Sequence, residues 1–189
     1  MASAVRIGYM GIPLSNSEAM SKVFAQRMGI SDYVLVPLMS AKGTIDALLS
    51  NNVDYGVLAT ENKFAGIVIE TRDALAGHDE IVFLDTEWTH IHHCVFKKNS
   101  ECKIKKLVSH IQALQQSKGN LKRLYPYAEF EECEDTAYAA EMLAKGIISD
   151  DCGAVCRRDA GEFYNLFLDN ENVEDYKENM TKFSIVKLI

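Results

Sequence analysis

The chain has 189 residues, enough to bury an ordinary core as one domain or as two small lobes. With 48% hydrophobic and 25% charged residues it has the composition of a globular protein, which excludes a disordered chain. A formal charge of −7 argues against a nucleic-acid partner, which needs a basic face, but leaves room for a locally positive pocket that takes a small anion.

Strand-like and helix-like segments alternate from the start. Val5 to Tyr9 reads as a strand, followed by a Gly11-Ile12-Pro13 turn and a helix over about Ser15 to Met28. Ser15-Asn16-Ser17-Glu18 is a capping box, with serine at the cap and glutamate three residues on. Tyr33 to Met39 is the next strand, Ala41 to Leu49 a helix, and Tyr55 to Ala59 a short apolar strand. Ile67 to Leu75 reads as helix. Ile81 to Phe83 and Ile91 to Phe96 read as strands flanking the polar Asp85-Thr86-Glu87. Lys106 to Ser109 opens a second β-α series. Ser109 and Gln112 form another capping box there, and the helix runs over about Gln112 to Leu124 with Leu114, Leu121 and Leu124 inward. Ala128 to Glu132 (strand), Thr136 to Lys145 (helix), Gly153 to Cys156 (strand), Arg157 to Phe163 (helix) and Phe183 to Leu188 (strand) complete the pattern. Repeated β-α units predict an α/β fold with mainly parallel sheets, right-handed crossovers and ligands at the carboxyl ends of strands. No repeat, low-complexity tract or linker interrupts it.

No apolar run is long enough to span a bilayer, so no membrane partner is expected. The stretch Met1 to Arg6 lacks a basic segment followed by an apolar one, so no secretory signal is read. The five cysteines (Cys94, Cys102, Cys133, Cys152, Cys156) then read as free thiols in a reducing cytoplasm. His90 and His92 would share one face of a strand, but no carboxylate stands at a matching spacing, and Cys152-x3-Cys156 has no second pair. No metal site is expected. The acidic run Glu129 to Asp135 reads as a solvated edge.

Five blocks carry a family resemblance, in order along almost the whole chain. They are Gly8-Tyr9-Met10-Gly11 with Ser17-Glu18; Asp54 to Asn62 with Gly66-Ile67-Val68; Ser109-His110-Ile111-Gln112-Ala113-Leu114-Gln115-Gln116; Asp135-Thr136-Ala137-Tyr138-Ala139-Ala140; and Asn179-Met180-Thr181-Lys182-Phe183. The third resembles the Ser-His-Pro-Gln-Ala-Leu-x-Gln signature of prephenate dehydratases, and the last resembles that family's Thr-Arg-Phe. The resemblance implies a two-lobed, periplasmic-binding-protein-like (type 2) fold across 1–189, with a cleft between lobes. Lobe 1 would take about 1–85 plus 177–189, and lobe 2 about 86–176.

The resemblance also implies the chemistry. The family's functional Asn, Ser, Gln and Thr map onto Asn62, Ser109, Gln116 and Thr181 as catalytic candidates. Glu61, Lys63, Ser15, Thr136, Lys182 and Phe183 are the substrate-binding candidates. The implied reaction removes carbon dioxide and hydroxide together from prephenate, or from the related arogenate. Aromatisation drives it, so no metal or redox cofactor is required. Thr181 suits an acid that helps hydroxide leave, a role worth roughly 10²–10⁴-fold. Asn62 and Gln116 are amide donors that can hold a carboxylate or oxyanion without adding charge. Helix starts at Ser15, Ser109 and Asp135 offer N–H groups to carboxylates.

Each of these residues also has a simpler reading. Ser109 suffices as a cap, Gln116 as a solvated helix face, Asn62 as a turn residue and Thr181 as a β-former. Four positions depart from the family pattern. Leu14 stands where the first loop usually has glycine, Lys63 and Asp135 each replace a serine, and Lys182 replaces an arginine, keeping charge without its planar fork. These departures motivate two alternatives: a non-catalytic amino-acid or keto-acid binding protein of the same fold, or a prephenate decarboxylase. Family members continue into a phenylalanine-binding regulatory domain that this sequence does not include, so feedback through such a domain is not expected. They also associate as dimers or larger assemblies, though no interface is identifiable in the sequence.

Overall fold

The computed structural model describes residues 4–189. In chain order the first elements are β1 (Val5–Tyr9), α1 (Asn16–Arg27), β2 (Tyr33–Pro37), α2 (Ala41–Leu49), β3 (Tyr55–Asn62), β4 (Gly66–Ile67), α3 (Ile69–Leu75) and β5 (Ile81–His90). The middle of the chain forms β6 (Cys94–Lys97), β7 (Lys106–Ser109), α4 (Ile111–Gln116), α5 (Lys118–Leu124), β8 (Glu129–Glu132), α6 (Thr136–Lys145), β9 (Cys152–Cys156), α7 (Arg158–Phe163) and β10 (Phe167–Asn170), and β11 (Met180–Leu188) closes it. Packing divides these into two compact units. One comprises the chain up to His90 together with Met180–Ile189, the other Ile91–Asn179.

In the first unit the sheet order is β2-β1-β3-β11-β5, with β4 added on β3. The strands β2, β1 and β3 run parallel because α1 and α2 supply the crossovers that parallel neighbours need. The last strand, β11, arrives without such a crossover and lies antiparallel between β3 and β5. The second unit repeats this plan in the order β10-β6-β9-β7-β8, parallel at β9-β7-β8 and antiparallel at β6 and β10. Both sheets are therefore mixed where the sequence pattern reads as mainly parallel. The β-α periodicity marks the crossovers, but it carries no signal for strands that return without one.

Each unit has its own core. Ile45 and Leu48 of α2 pack on Leu58, Val186 and Ile81 in the first. Val95, Leu107, Leu114, Leu121, Val155 and Val173 do so in the second. With a fully buried leucine or isoleucine contributing roughly 1.5–3 kcal/mol, these clusters dominate the stability of both units.

Three local expectations are corrected. The strand expected to end at Phe83 runs on through Asp85-Thr86-Glu87 to His90 as β5, and the strand expected from Ile91 starts at Cys94 as β6, with residues 91–93 outside any strand. The strand tolerates these polar residues because it is a sheet edge, where Arg27 of α1 forms ion pairs with both Asp85 (3.3 Å) and Glu87. The helix expected over Gln112 to Leu124 is split into α4 and α5 at Ser117, whose φ of −119° interrupts it. Most relevant to the site, Ser109 is not the cap of α4. His110 is, its Nδ1 accepting from the Gln112 N–H at 3.3 Å. Ser109 stays in β7, fully buried, and its hydroxyl donates across the sheet to the Val155 carbonyl at 2.5 Å. The other two caps form as expected at Ser15 and Asp135. In the first, however, Glu18 turns its carboxylate to the N–H of Leu14, not to that of the cap residue.

Candidate functional site

In the first unit Thr181 and Asn62 face each other as register partners of β11 and β3. Asn62 is 5% exposed. Its carbonyl oxygen accepts the N–H groups of Phe64 (3.0 Å) and Ala65 (2.9 Å), which fixes the amide the other way round on its opposite side. There the amide nitrogen donates to the Met180 carbonyl at 3.1 Å and to Thr181 Oγ1 at 3.0 Å. Because Thr181 Oγ1 is an acceptor in this contact, its own proton points elsewhere and can be donated. Accepting an N–H also stabilises negative charge on that oxygen, which makes the hydroxyl a better acid.

Glu61 and Lys182 are the next register pair, with Nζ and Oε2 3.9 Å apart. The ammonium lies 6.0 Å from the centroid of the Trp88 ring, within cation–π range. Lys182 also lines a hollow of 410 Å³ together with Arg72, Thr71, Ile67, Phe83 and Ser184, and neither Thr181 nor Asn62 is on its wall. Phe183 is buried in the sheet at 2% exposure, so its ring is part of the core. Lys63 follows β3, is exposed, and its N–H donates to the Met180 carbonyl at 2.9 Å. Ser15 is occupied as the cap of α1, accepting from the Glu18 N–H at 3.3 Å. Leu14, beside it, has φ +70°, the left-handed region in which glycine costs least. The loop thus has a backbone of the kind glycine adopts most easily, with a leucine in it.

In the second unit Gln116 ends α4, and its carbonyl oxygen accepts two hydrogen bonds, from His93 Nε2 and from Asn179 Nδ2, each 2.9 Å. Both bonds go to the oxygen, which leaves its NH₂ group as the donor end. Ser109 ends β7, just before α4, with its proton committed to the Val155 carbonyl. Thr136 opens α6, half-buried, behind the Asp135 cap. Burial pushes the Asp135 carboxyl above the usual carboxylate range, only partly opposed by the Ala137 N–H it accepts at 2.7 Å. The folded protein thus holds this proton more tightly than the unfolded chain does. Stability is lost as the pH rises from about 4 through the raised folded value, and the cost is fully present above it. Asp135→Ser keeps a cap acceptor and removes the charge. Its melting temperature is expected to exceed the parent's at pH 7 and to match it at pH 4; an equal difference at both values would show that the buried charge is not the cause.

The structure gathers Asn62 with Thr181, and Gln116 with two residues not picked from the sequence, His93 and Asn179. Spacing gives no hint of them, since they lie 23 and 63 residues from Gln116. Among the described residues no group of three or more His, Cys, Asp or Glu side chains is placed to hold a metal ion. All five cysteines are free. No described helix is long and apolar enough to cross a membrane.

The two mixed α/β sheets belong to a periplasmic-binding-protein-like fold. A prephenate dehydratase from Arthrobacter aurescens solved in complex with L-Phe superposes with a TM-score of 0.83 at 21% identity, covering 98% of this chain and 61% of that one. The prephenate dehydratase family model matches residues 7–188, and the chain belongs to that family. It is 30% identical over 184 residues to arogenate dehydratase 5, chloroplastic, of Arabidopsis thaliana, covering 96% of this chain and 41% of the relative. It is 34% identical over 138 residues to the prephenate dehydratase of Methanocaldococcus jannaschii, covering 72% of this chain and 48% of the relative. The chain thus spans less than half the length of either curated relative.

Proposed function

We propose that this chain is a carbon–oxygen lyase that converts prephenate, or arogenate, to the corresponding aromatic product by joint loss of carbon dioxide and hydroxide, as a step of phenylalanine biosynthesis. The observation that carries the reading is the Asn62–Thr181 pair, which leaves a threonine hydroxyl proton available on an oxygen that already accepts an N–H. In the reaction the bond from the ring carbon that carries the side chain to the carboxylate on that same carbon breaks, carbon dioxide leaves, and the bond's electron pair enters the ring. The ring C–O bond breaks with its electrons leaving on oxygen, and Thr181 donates a hydrogen bond to that departing oxygen, which ends as water after taking a proton from solvent. The ring becomes aromatic, and no electrons are gained or lost overall.

Asn62 positions Thr181. Gln116 supplies neutral amide donors for a substrate carboxylate or oxyanion, and such a donor is typically worth about 10²–10³-fold in rate. Ser109 acts through its lone pairs and by holding the end of β7, since its proton is engaged. Glu61, Lys63, Ser15, Thr136, Lys182 and Phe183 remain the substrate-binding candidates. Among them Lys63 and Lys182 are the cations that can meet a carboxylate, while Phe183 can act only from within the core. A homodimer is the assembly proposed from the family.

Mixing the purified protein with prephenate, and separately with arogenate, near neutral pH tests the reading. Phenylpyruvate, or phenylalanine from arogenate, forming well above a no-enzyme control is the expected result. A product that has lost carbon dioxide but kept its hydroxyl would instead assign a decarboxylase. Recovery of both substrates unchanged, with either one raising the melting temperature, would assign a binding protein.

A further inference from the structure

We propose that His93 is a positioning residue for Gln116, holding the amide so that its NH₂ end is the one offered to the ligand. The inference rests on Gln116 being part of the substrate site as proposed above. A glutamine amide can turn over at little cost, and in solution its two ends are nearly equivalent in shape. Here the end is chosen by two donors. Gln116 Oε1 accepts from His93 Nε2 and from Asn179 Nδ2, both at 2.9 Å. A turned amide would place an NH₂ against two N–H donors: the buried His93 Nε2–H would lose its acceptor, at a cost of about 1–3 kcal/mol, and Asn179 Nδ2 would keep only its longer contact to the Ile91 carbonyl at 3.4 Å.

The selection works only if His93 carries its proton on Nε2, and the surroundings enforce that. His93 is 2% exposed, and its Nδ1 is buried without a hydrogen-bond partner. A charged ring would need an acceptor at Nδ1 as well, and burial disfavours the charge, so the ring's pKa lies below the usual histidine value. Glu174 stands nearby, but its carboxylate is turned to the His93 backbone N–H at 3.0 Å and to His92 Nδ1 at 2.8 Å, leaving the His93 ring to Gln116. The same segment is fastened on its far side. Asp175 accepts the N–H groups of Gly119 (2.8 Å) and Asn120 (2.7 Å) at the start of α5, so Glu174 is held in place. The ring is thus a fixed donor with one proton, in one place.

The test combines a double-mutant cycle with a direct reading of the proton. His93→Leu fills the site without a donor, and kcat/KM for prephenate is expected to fall by roughly 10²-fold, the size of effect that about 1 Å of misplacement brings. Its melting temperature should hold or rise, because an unpartnered buried nitrogen is removed. His93→Gln, which carries an N–H near the position of Nε2, is expected to recover most of the loss. In a Gln116→Leu background His93→Leu should cost nothing further. ¹⁵N NMR of the parent protein should show the His93 proton on Nε2, with its shift changed by Gln116→Leu. Full additivity of the two losses, or a proton on Nδ1, would overturn the inference. If the parent protein turns over neither prephenate nor arogenate, the proposed function fails, and the NMR measurement alone still decides whether His93 fixes Gln116.

Discussion

Thr181→Val is expected to lower turnover of prephenate by about 10²–10⁴-fold, the range that a positioned acid supplies, while the melting temperature stays within a few degrees of the parent's. Valine matches threonine in shape and in preference for a strand, so β11 keeps its register against β3 and β5. What disappears is the Oγ proton and the acceptor for one N–H of Asn62. The same Asn62 nitrogen also donates to the Met180 carbonyl, so it is not stranded, and the cost to folding is that of one hydrogen bond, about 0.5–1.5 kcal/mol. A large loss of rate beside a small loss of stability separates an acid from a β-former. Thr181→Ser sharpens the test. It restores the hydroxyl and should recover activity to within about tenfold, since the remaining loss is one of orientation. Unchanged turnover in Thr181→Val would remove Thr181 from the mechanism and leave the fold description untouched.

Much of this architecture is legible in the chain because two kinds of signal agree where they overlap. The apolar periodicity and the caps set α2 at Ala41–Leu49 and α6 at Thr136–Lys145 to the residue, and the caps at Ser15 and Asp135 sit where short polar side chains precede an apolar run. The five ordered blocks carry the family and with it the fold. What is not legible depends on partners distant in sequence. A serine before a helix reads as its cap, yet Ser109 finds a better acceptor in Val155, 46 residues away, and His110 takes over the cap with its ring nitrogen. Asp85 and Glu87 read as a break between strands because sequence alone cannot show that β5 is an edge strand, with Arg27 waiting from α1. The short β10 is set by its antiparallel pairing to β6, not by any apolar pattern of its own. The role of His93 is not legible, because it depends on the other end of a glutamine that spacing does not connect to it.

Asn62→Asp changes one NH₂ to one oxygen and should be among the most damaging conservative substitutions in the chain. The carbonyl side survives, since either carboxylate oxygen can accept from the N–H groups of Phe64 and Ala65. The other side inverts. A lone pair now faces the Met180 carbonyl, where an N–H had donated at 3.1 Å, and the Thr181 hydroxyl gains an acceptor 3.0 Å away where it had a donor. Its proton turns to the new carboxylate and is lost to the leaving hydroxide, so turnover at neutral pH should fall at least as far as in Thr181→Val. The position is 95% buried, and an uncompensated charge there should cost about 3 kcal/mol or more at pH 7. Protonation repairs the geometry, because an O–H can donate where the amide did. The introduced carboxyl therefore has a raised pKa in the folded state and binds its proton more tightly there than in the unfolded chain. The sign follows from linkage: the stability deficit relative to the parent is small near pH 4, grows as the pH rises through the folded pKa, and is complete above it. Urea unfolding of parent and variant at pH 4 and pH 8 measures this directly. A deficit equal at the two values would mean that Asn62 matters for its shape and not for the hydrogens it directs at Thr181.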